Sequence, residues 1–314
     1  MPAFDLAEGN AFVSKGLTLL QAGNGAALGR LYAGLPPADR VHLLDGIGLL
    51  GDIGAAVPAR AGHPSLAAIE GGLRYVWAHR LRGFATADQT SDAQALNMYD
   101  MAHEAHAALD EAARLTPQDS AVHAFRIRAE MLACGVEGGA EAAFRDLDAA
   151  GEPNVLAGLA RLNYLAPKWH GSVDEMHAFA DAAIARAPNA AFLALKARAC
   201  IEEWLYESGM NEAPGAAAAF KARSATPAFR QSLADLDDRF LDLLETGPAL
   251  SAAEAHFARN QFAVLFVAFL DRPRLKHHLT GLGVPAAVPW GYFAGGNVAR
   301  FLAKLHKELG LPKR

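Results

Sequence analysis

At 314 residues, with 52% hydrophobic and 20% charged content, the chain exceeds the usual single-domain size and has ample apolar material for a core. A net charge of −5 and a pI near 6.2 give no electrostatic case for nucleic acid or an anionic membrane surface. The two cysteines, Cys134 and Cys200, have no partner at metal-ligand spacing and read as buried reduced thiols. The opening MPAFDLAEGNAF lacks the basic start and apolar run of a signal peptide, and the longest apolar run, Phe262 to Leu270, is far short of a membrane span. A cytoplasmic location without membrane attachment is expected.

The first sixty residues hold short apolar patches broken by glycines and by Pro36-Pro37. Leu28, Leu31 and Leu35 suit one helical face; Val41, Leu43, Leu44, Ile47, Leu49 and Leu50 suit another. A longer helix opens at His63-Pro64-Ser65 and carries Leu66, Ile69, Leu73, Val76 and Trp77 along one side until Gly83. After a loop at 84–90, Ser91 and Gln94 stand at capping-box spacing, where the first side chain takes a free amide of the helix start and the second reaches back. That helix runs to about Leu115. Thr116-Pro117 then places proline in the first turn of a following helix, marked by Val122, Phe125, Ile127 and Met131 and ending near Cys134 before Gly135 and Gly138.

A longer period is superimposed on these helices. Pro117, Pro153 and Pro188 lie 36 and 35 residues apart, each between an Ala-rich helix and a second one, in EAARLTPQDSAVHAF, DLDAAGEPNVLAGLA and AIARAPNAAFLALKA. The spacing resembles the tetratricopeptide class, whose small residues let the two helices of a hairpin pack closely. Between the second and third prolines, Pro167, Trp169, Gly171, Ser172 and Glu175 form a corner. Pro167 ends one helix, Gly171 is expected to adopt a backbone conformation closed to most residues, and Trp169 is expected to plug the space between the helices. Ser172 and Glu175 repeat the capping box, so that a helix begins at about Val173.

Thr226-Pro227 opens a helix with Leu233, Leu236, Phe240, Leu243 and Leu244 along its buried side, closed by Gly247-Pro248. Ser251 and Glu254 cap the next, whose second half, FAVLFVAFL, is apolar all round and should be the most buried helix, a strand being the alternative for that run. The last helix, Val298 to about Leu309, has Phe301, Leu302 and Leu305 on one face, Lys304 and Lys307 near its negative end, and Gly310 as its stop. No segment alternates with period two. The expected fold is all-α: tetratricopeptide-like hairpins in one short continuous solenoid, with an N-terminal helical region at 1–90, central repeats at 91–248 and a C-terminal helical cap at 249–314.

HPSLAAIEGGLRYVWAHRLRG, PKWHGSVDEMHAFA and VPWGYFAGG, spread over about residues 60–305, are together similar to a family of uncharacterised bacterial helical-repeat proteins with a Pro-Lys-Trp-Gly-Gly-Ser corner. His170 stands where that family more often has glycine. The resemblance implies a tetratricopeptide-like fold and brings with it no activity and no functional residues.

Chemistry-bearing residues are few. Asp100, His103, Glu104 and His106 fall within two helical turns, but further ligands at suitable spacing are lacking, so they read as a solvated helix face and no metal or cofactor is expected. His170 and His177 flank the Ser172 cap as polar residues of a helix start, and Arg272, Arg274, Lys276, His277 and His278 read as a solvated short helix. No Gly-x-Ser-x-Gly, Walker loop or dinucleotide fingerprint occurs. Two classes of function follow. The preferred one is a scaffold that binds another protein or peptide on the inner helices of residues 95–208, with Arg126, Arg128, Arg161 and Lys196 as candidate contacts. The other is an enzyme or small-molecule binder with a pocket under the Gly/Pro-rich loop of Trp290, Tyr292 and Phe293, a loop that otherwise plugs the end of the solenoid. Oligomeric state is left open.

Overall fold

The computed structural model describes residues 10–54, 57, 63–83, 90–133, 139–294 and 297–312, and among them it contains sixteen helices and no strand. No described helix is long and apolar enough to cross a membrane. The chain divides into two compact units, Gly9–Tyr164 and a second beginning at Leu165, a boundary inside the stretch expected as central repeats.

The first unit comprises α1 (Ala11–Gln21), α2 (Gly25–Ala33), α3 (Pro37–Leu50), α4 (Pro64–Arg82), α5 (Asp92–Leu115), α6 (Ser120–Ala133), α7 (Gly139–Ala150) and α8 (Val155–Tyr164). Its centre is α4, whose expected apolar face, Leu66, Ile69, Leu73, Val76 and Trp77, is buried. The opposite side is buried as well, because α3 and α5 both pack on α4. Two glycines make that possible. A Cβ on Gly71 would meet Leu109 of α5 at 2.5 Å, and one on Gly72 would meet Leu44 of α3 at 2.5 Å, so bare backbone is what each neighbour touches. Helix α6 then packs on α5, α7 and α8.

The second unit comprises α9 (Val173–Arg186), α10 (Ala190–Gly209), α11 (Ala216–Ser224), α12 (Pro227–Thr246), α13 (Ala252–Ala268), α14 (Arg272–Gly281), α15 (Ala287–Ala294) and α16 (Val298–Glu308). Here α10 is central, contacting α9, α11, α12 and α13. The apolar run in α13 is helical and nearly continuous in its burial, from Phe262 to Val267, with Phe262 stacked on Phe240 of α12 at 3.9 Å between centroids. On α12, Leu233 and Phe240 are buried as expected, whereas Leu236, Leu243 and Leu244 are only half-buried. Gly310 ends α16 with φ 65°, letting Leu311 N–H donate to the His306 carbonyl at 2.8 Å.

The proline corners are more regular than the prolines. Helix α6 starts at Ser120, which corrects the expectation that Pro117 occupies its first turn; the cap is Asp119, whose Oδ1 accepts from Ala121 N–H at 3.1 Å. Asn154 caps α8 by accepting from Leu156 and Ala157 N–H at 3.0 and 3.2 Å, and Asn189 caps α10 by accepting from Phe192 N–H at 3.1 Å. Asp119, Asn154 and Asn189 are each 35 residues apart, so the hairpins α5–α6, α7–α8 and α9–α10 share one phase. A side-chain acceptor satisfies an amide that has no partner within the helix, which is why this position recurs more strictly than the proline before it.

At the Pro167 corner three expectations are corrected in their physics. Gly171 is needed because an added Cβ would collide with the backbone carbonyl of Leu165, not because its φ is left-handed. Trp169 is 38% exposed and so is not a buried plug, whereas Ala166 and Met176 on either side of it are fully buried. Ser172 Oγ does accept from Glu175 N–H at 3.2 Å, but the Glu175 carboxylate accepts a hydrogen bond from the Ser172 hydroxyl at 2.8 Å instead of completing the box. The complete boxes are at Ser91–Gln94 and Ser251–Glu254. Ser172→Ala is predicted to lower stability by about 1 kcal/mol. Gly171→Ala is predicted to cost more, about 2 kcal/mol, because backbone rather than a flexible side chain must move. Urea denaturation midpoints for the two variants check this; an unchanged midpoint for Gly171→Ala would contradict the close approach.

Candidate functional site

Seven residues beyond each corner cap stands a basic residue: Arg126, Arg161 and Lys196, again 35 residues apart. Each reaches back to an aspartate on the first helix of its own hairpin. Arg126 Nε donates to Asp110 at 3.2 Å, Arg161 Nη1 to Asp148 at 3.0 Å, and Lys196 Nζ to Asp181 at 2.8 Å. The cations are recessed, with side chains 16, 22 and 25% exposed, while their aspartates are 59, 44 and 61% exposed. Arg128, the fourth candidate contact, is 14% exposed, donates to both oxygens of Asp45 at 2.9 and 3.0 Å, and lies over the Phe125 ring. The structure therefore places all four inside intramolecular ion pairs.

Arg126 does more than brace its hairpin. Its Nη1 also donates to Asp146 of α7, so one guanidinium spans from α5 to α7. Around it lies an open cleft of about 540 Å3, lined by Asp110, Ala113 and Arg114 of α5, Pro117 and Gln118 of the corner, His123 and Arg126 of α6, and Asp146 and Ala149 of α7. His123 Nε2–H donates to the Pro117 carbonyl at 2.8 Å, which leaves Nδ1 as an acceptor facing Arg126 Nη1 at 3.5 Å. Burial pushes the His123 pKa down, so the imidazole is neutral near pH 7 and adds no charge to the cleft.

Two motifs from distant parts of the sequence converge in the second unit. The aromatic stretch is helix α15 rather than the expected loop, with one non-helical residue, Val288. It buries Trp290 completely, its indole N–H donating to Asn260 Oδ1 at 2.7 Å, and stacks Phe293 on Trp204 of α10 at 4.5 Å. Tyr292 meets Lys168 of the Pro167 corner. Its hydroxyl donates to Glu202 Oε1 at 2.8 Å and accepts from Lys168 Nζ and Arg198 Nη2, both at 3.0 Å. Lys168 Nζ and Arg198 Nη2 also approach the Glu202 oxygens to 2.7 and 2.6 Å. Burial pushes the Glu202 carboxyl up, but Arg198 and Lys168 outweigh it and hold the group below the usual carboxylate range. No sequence signal marked Glu202 or Arg198; an acid and a base four apart on an apolar helix is the pattern that would have found them.

Other candidates find ordinary partners. Glu104 pairs with Arg74 and His106 lies 3.8 Å from Glu130, and among the described residues no group of three His, Cys, Asp or Glu is placed to hold a metal. His177 contacts Glu203 at 3.1 Å. The Arg272–His278 cluster is not simply solvated: His278 is buried under Phe266, 5.5 Å away and near-parallel, and contacts Asp237 at 2.7 Å, with Arg274 on the same carboxylate. Cys200 is buried and free, its thiol pushed up to about 12 by burial; Cys134 lies outside the described residues.

Comparison with protein-family models, with curated proteins and with solved structures finds no match.

Glu202→Gln, which leaves two cations beside a neutral amide in a buried site, is predicted to destabilise by about 3–5 kcal/mol near pH 7. The sign with pH follows from the depressed folded pKa: the charge contributes fully above the unfolded value of about 4.3 and is lost as pH falls through the folded one. The gap between wild-type and variant stability should therefore close below about pH 4, read by denaturation at stepped pH. A gap independent of pH would mean that packing, not charge, holds Glu202.

Proposed function

We propose that the chain is a non-enzymatic, tetratricopeptide-like scaffold whose hairpins hold a segment of another protein. The observation that carries this reading is the open cleft at the first proline corner. Its volume of about 540 Å3 suits a few side chains of a bound segment, and it is walled by three helices, of which α6 is capped by Asp119. The 35-residue phase shared by the hairpins α5–α6 and α7–α8, which pack on one another through α6, supports a stacked helical-repeat arrangement, because such units bury their apolar faces on one another. Kinship with the bacterial Pro-Lys-Trp corner family belongs to the same proposal, as does a cytoplasmic setting, which suits the free buried thiol of Cys200.

One observation favours a second reading, an enzyme or small-molecule site beneath α15: the Tyr292 phenol accepts from two cations while donating to a carboxylate. Against it, Lys168, Arg198, Glu202 and Tyr292 direct these bonds at one another, as a structural lock does.

The exposed Ala149 allows the cleft to be filled without disturbing the core. Ala149→Trp is expected to retain the wild-type melting temperature and to lose the protein that wild type captures by cross-linking and pull-down in its native host. Undiminished capture by Ala149→Trp would refute the cleft as the binding place. Turnover of a small substrate, abolished by Tyr292→Phe with the melt unchanged, would establish the second reading.

A further inference from the structure

Helices α1, α13 and α16 end in the same way. Beyond the last turn a backbone N–H reaches back five residues, from Asn24 to the Leu19 carbonyl at 2.9 Å, from Asp271 to Phe266 at 3.1 Å and from Leu311 to His306 at 2.8 Å. The residue before each donor must then be left-handed, with φ 65° at Gly23, 57° at Leu270 and 65° at Gly310. Glycine is the ordinary occupant because a Cβ crowds the backbone there. Leu270 is the one non-glycine residue of positive φ among the described residues, and at 80% exposure it is also the most exposed large apolar side chain among them. This turn thus departs twice from the stable choice that the same protein makes at its other two ends.

The surroundings of Leu270 are basic. Arg230 of α12 donates from Nη1 to the carbonyl of Phe269, immediately behind the leucine, and has no carboxylate partner among the described residues. Arg223 of α11 lies over the Phe220 and Phe229 rings at 5.1 and 5.6 Å, and both rings flank Phe269. Arg272 follows Leu270 by two residues with its side chain 63% exposed, and Lys276, one helical turn further along α14, is exposed too. Of the acids nearby, Glu203 is buried beneath Arg223, Asp271 is turned to the α14 cap, and Glu308 pairs with Arg272. The overall charge of −5 averages over the whole chain, but a bound surface feels charge only within about one Debye length, ~8–10 Å.

We infer that the turn between α13 and α14 docks on an anionic lipid bilayer, with Leu270 entering the interface and Arg223, Arg230, Arg272 and Lys276 meeting the phosphate headgroups. A leucine that touches so little of its own chain stands at the apex of the turn, and the guanidinium of Arg230 is fixed to the residue behind it. A bilayer presents charge outermost and hydrocarbon beneath, so a tip whose apolar end leads and whose cations trail meets both layers at once. An acidic protein would instead need a pocket cut to one leucine. A single apolar residue with a basic collar gives reversible attachment at the surface, in keeping with the lack of a membrane-crossing helix among the described residues. The inference is independent of what the cleft of the first unit holds.

The test is sedimentation of the full-length protein with vesicles of phosphatidylcholine alone, or with about one-third phosphatidylserine. Binding is expected to the mixed vesicles only, falling as salt rises from about 50 to 300 mM. Leu270→Gly separates function from fold: it should raise the melting temperature by relieving the backbone while weakening vesicle binding roughly fivefold. Arg230→Gln with Arg272→Gln should weaken binding roughly tenfold, and Arg145→Gln, at an exposed position of α7, should change it less than about twofold. A fluorescent dodecapeptide alternating glutamate with alanine is expected not to bind. Melting curves for every variant keep loss of binding apart from loss of fold. Absence of binding to the mixed vesicles, equal binding to neutral ones, undiminished binding by Leu270→Gly, or capture of the peptide in place of vesicles each overturns the inference.

Discussion

A buried carboxylate at a helix start, Asp119, ties together parts of the first unit that apolar packing alone would leave free to slide. Asp119 caps α6, accepts from the Tyr32 hydroxyl of α2 at 2.8 Å, and pairs with Arg40 of α3 at 3.3 Å. Burial, with Asp119 beside it, pushes the Tyr32 phenol well above its ordinary value, so it remains a donor at any ordinary pH. The chain of contacts continues through Ser120, whose hydroxyl donates to Glu152 at 2.7 Å and accepts from Asn154 at 3.1 Å. Hydrophobic contact is non-directional, whereas each of these bonds has one geometry, so they set the register that the core tolerates only loosely. Removing one member would leave the others buried without a partner, which is why such a network acts as a unit.

The all-helical class was legible because strong periodicity and end signals coincide. Both complete capping boxes, the apolar stripe of α4 and the apolar run of α13 lie in helices of seventeen residues or more. What escaped notice is short. Helices α11 and α15 have nine and eight residues, too few for a periodic stripe, and are held by a few buried side chains such as Phe220 and Trp290. In α15, glycine and proline spoke for a loop, and tertiary burial of the aromatic rings overrode them. The repeat was visible through its prolines, but the stricter phase lay in the capping residues beside them, since Asp and Asn are too common for their recurrence to stand out.

Exposure was the part of the candidate site least legible in the sequence. Arg126, Arg161 and Lys196 look like surface cations on any helical wheel, yet each sits where the second helix of a hairpin faces the first. A long cationic side chain can lie along that seam and reach an aspartate at its edge, so the stem packs and only the shorter acid remains in water. Charge sign could be read from the chain; which sign points outward depends on side-chain length and on the pairing of helices. The Glu202 cluster escaped for a related reason, because its four members come from Lys168, Arg198, Glu202 and Tyr292 and meet only once α10 is flanked by the corner and by α15.

Cys200 occupies the middle of α10, the helix around which the second unit is assembled, with 6% of its surface exposed and its thiol pushed up to about 12. Thiol reagents attack the thiolate, and at ordinary pH this residue offers neither the ion nor the access. Chemical modification at that sulfur must therefore wait for α10 to open. The residue is a native timer for excursions from the folded state, recording how often the centre of the second unit comes apart without any label being introduced.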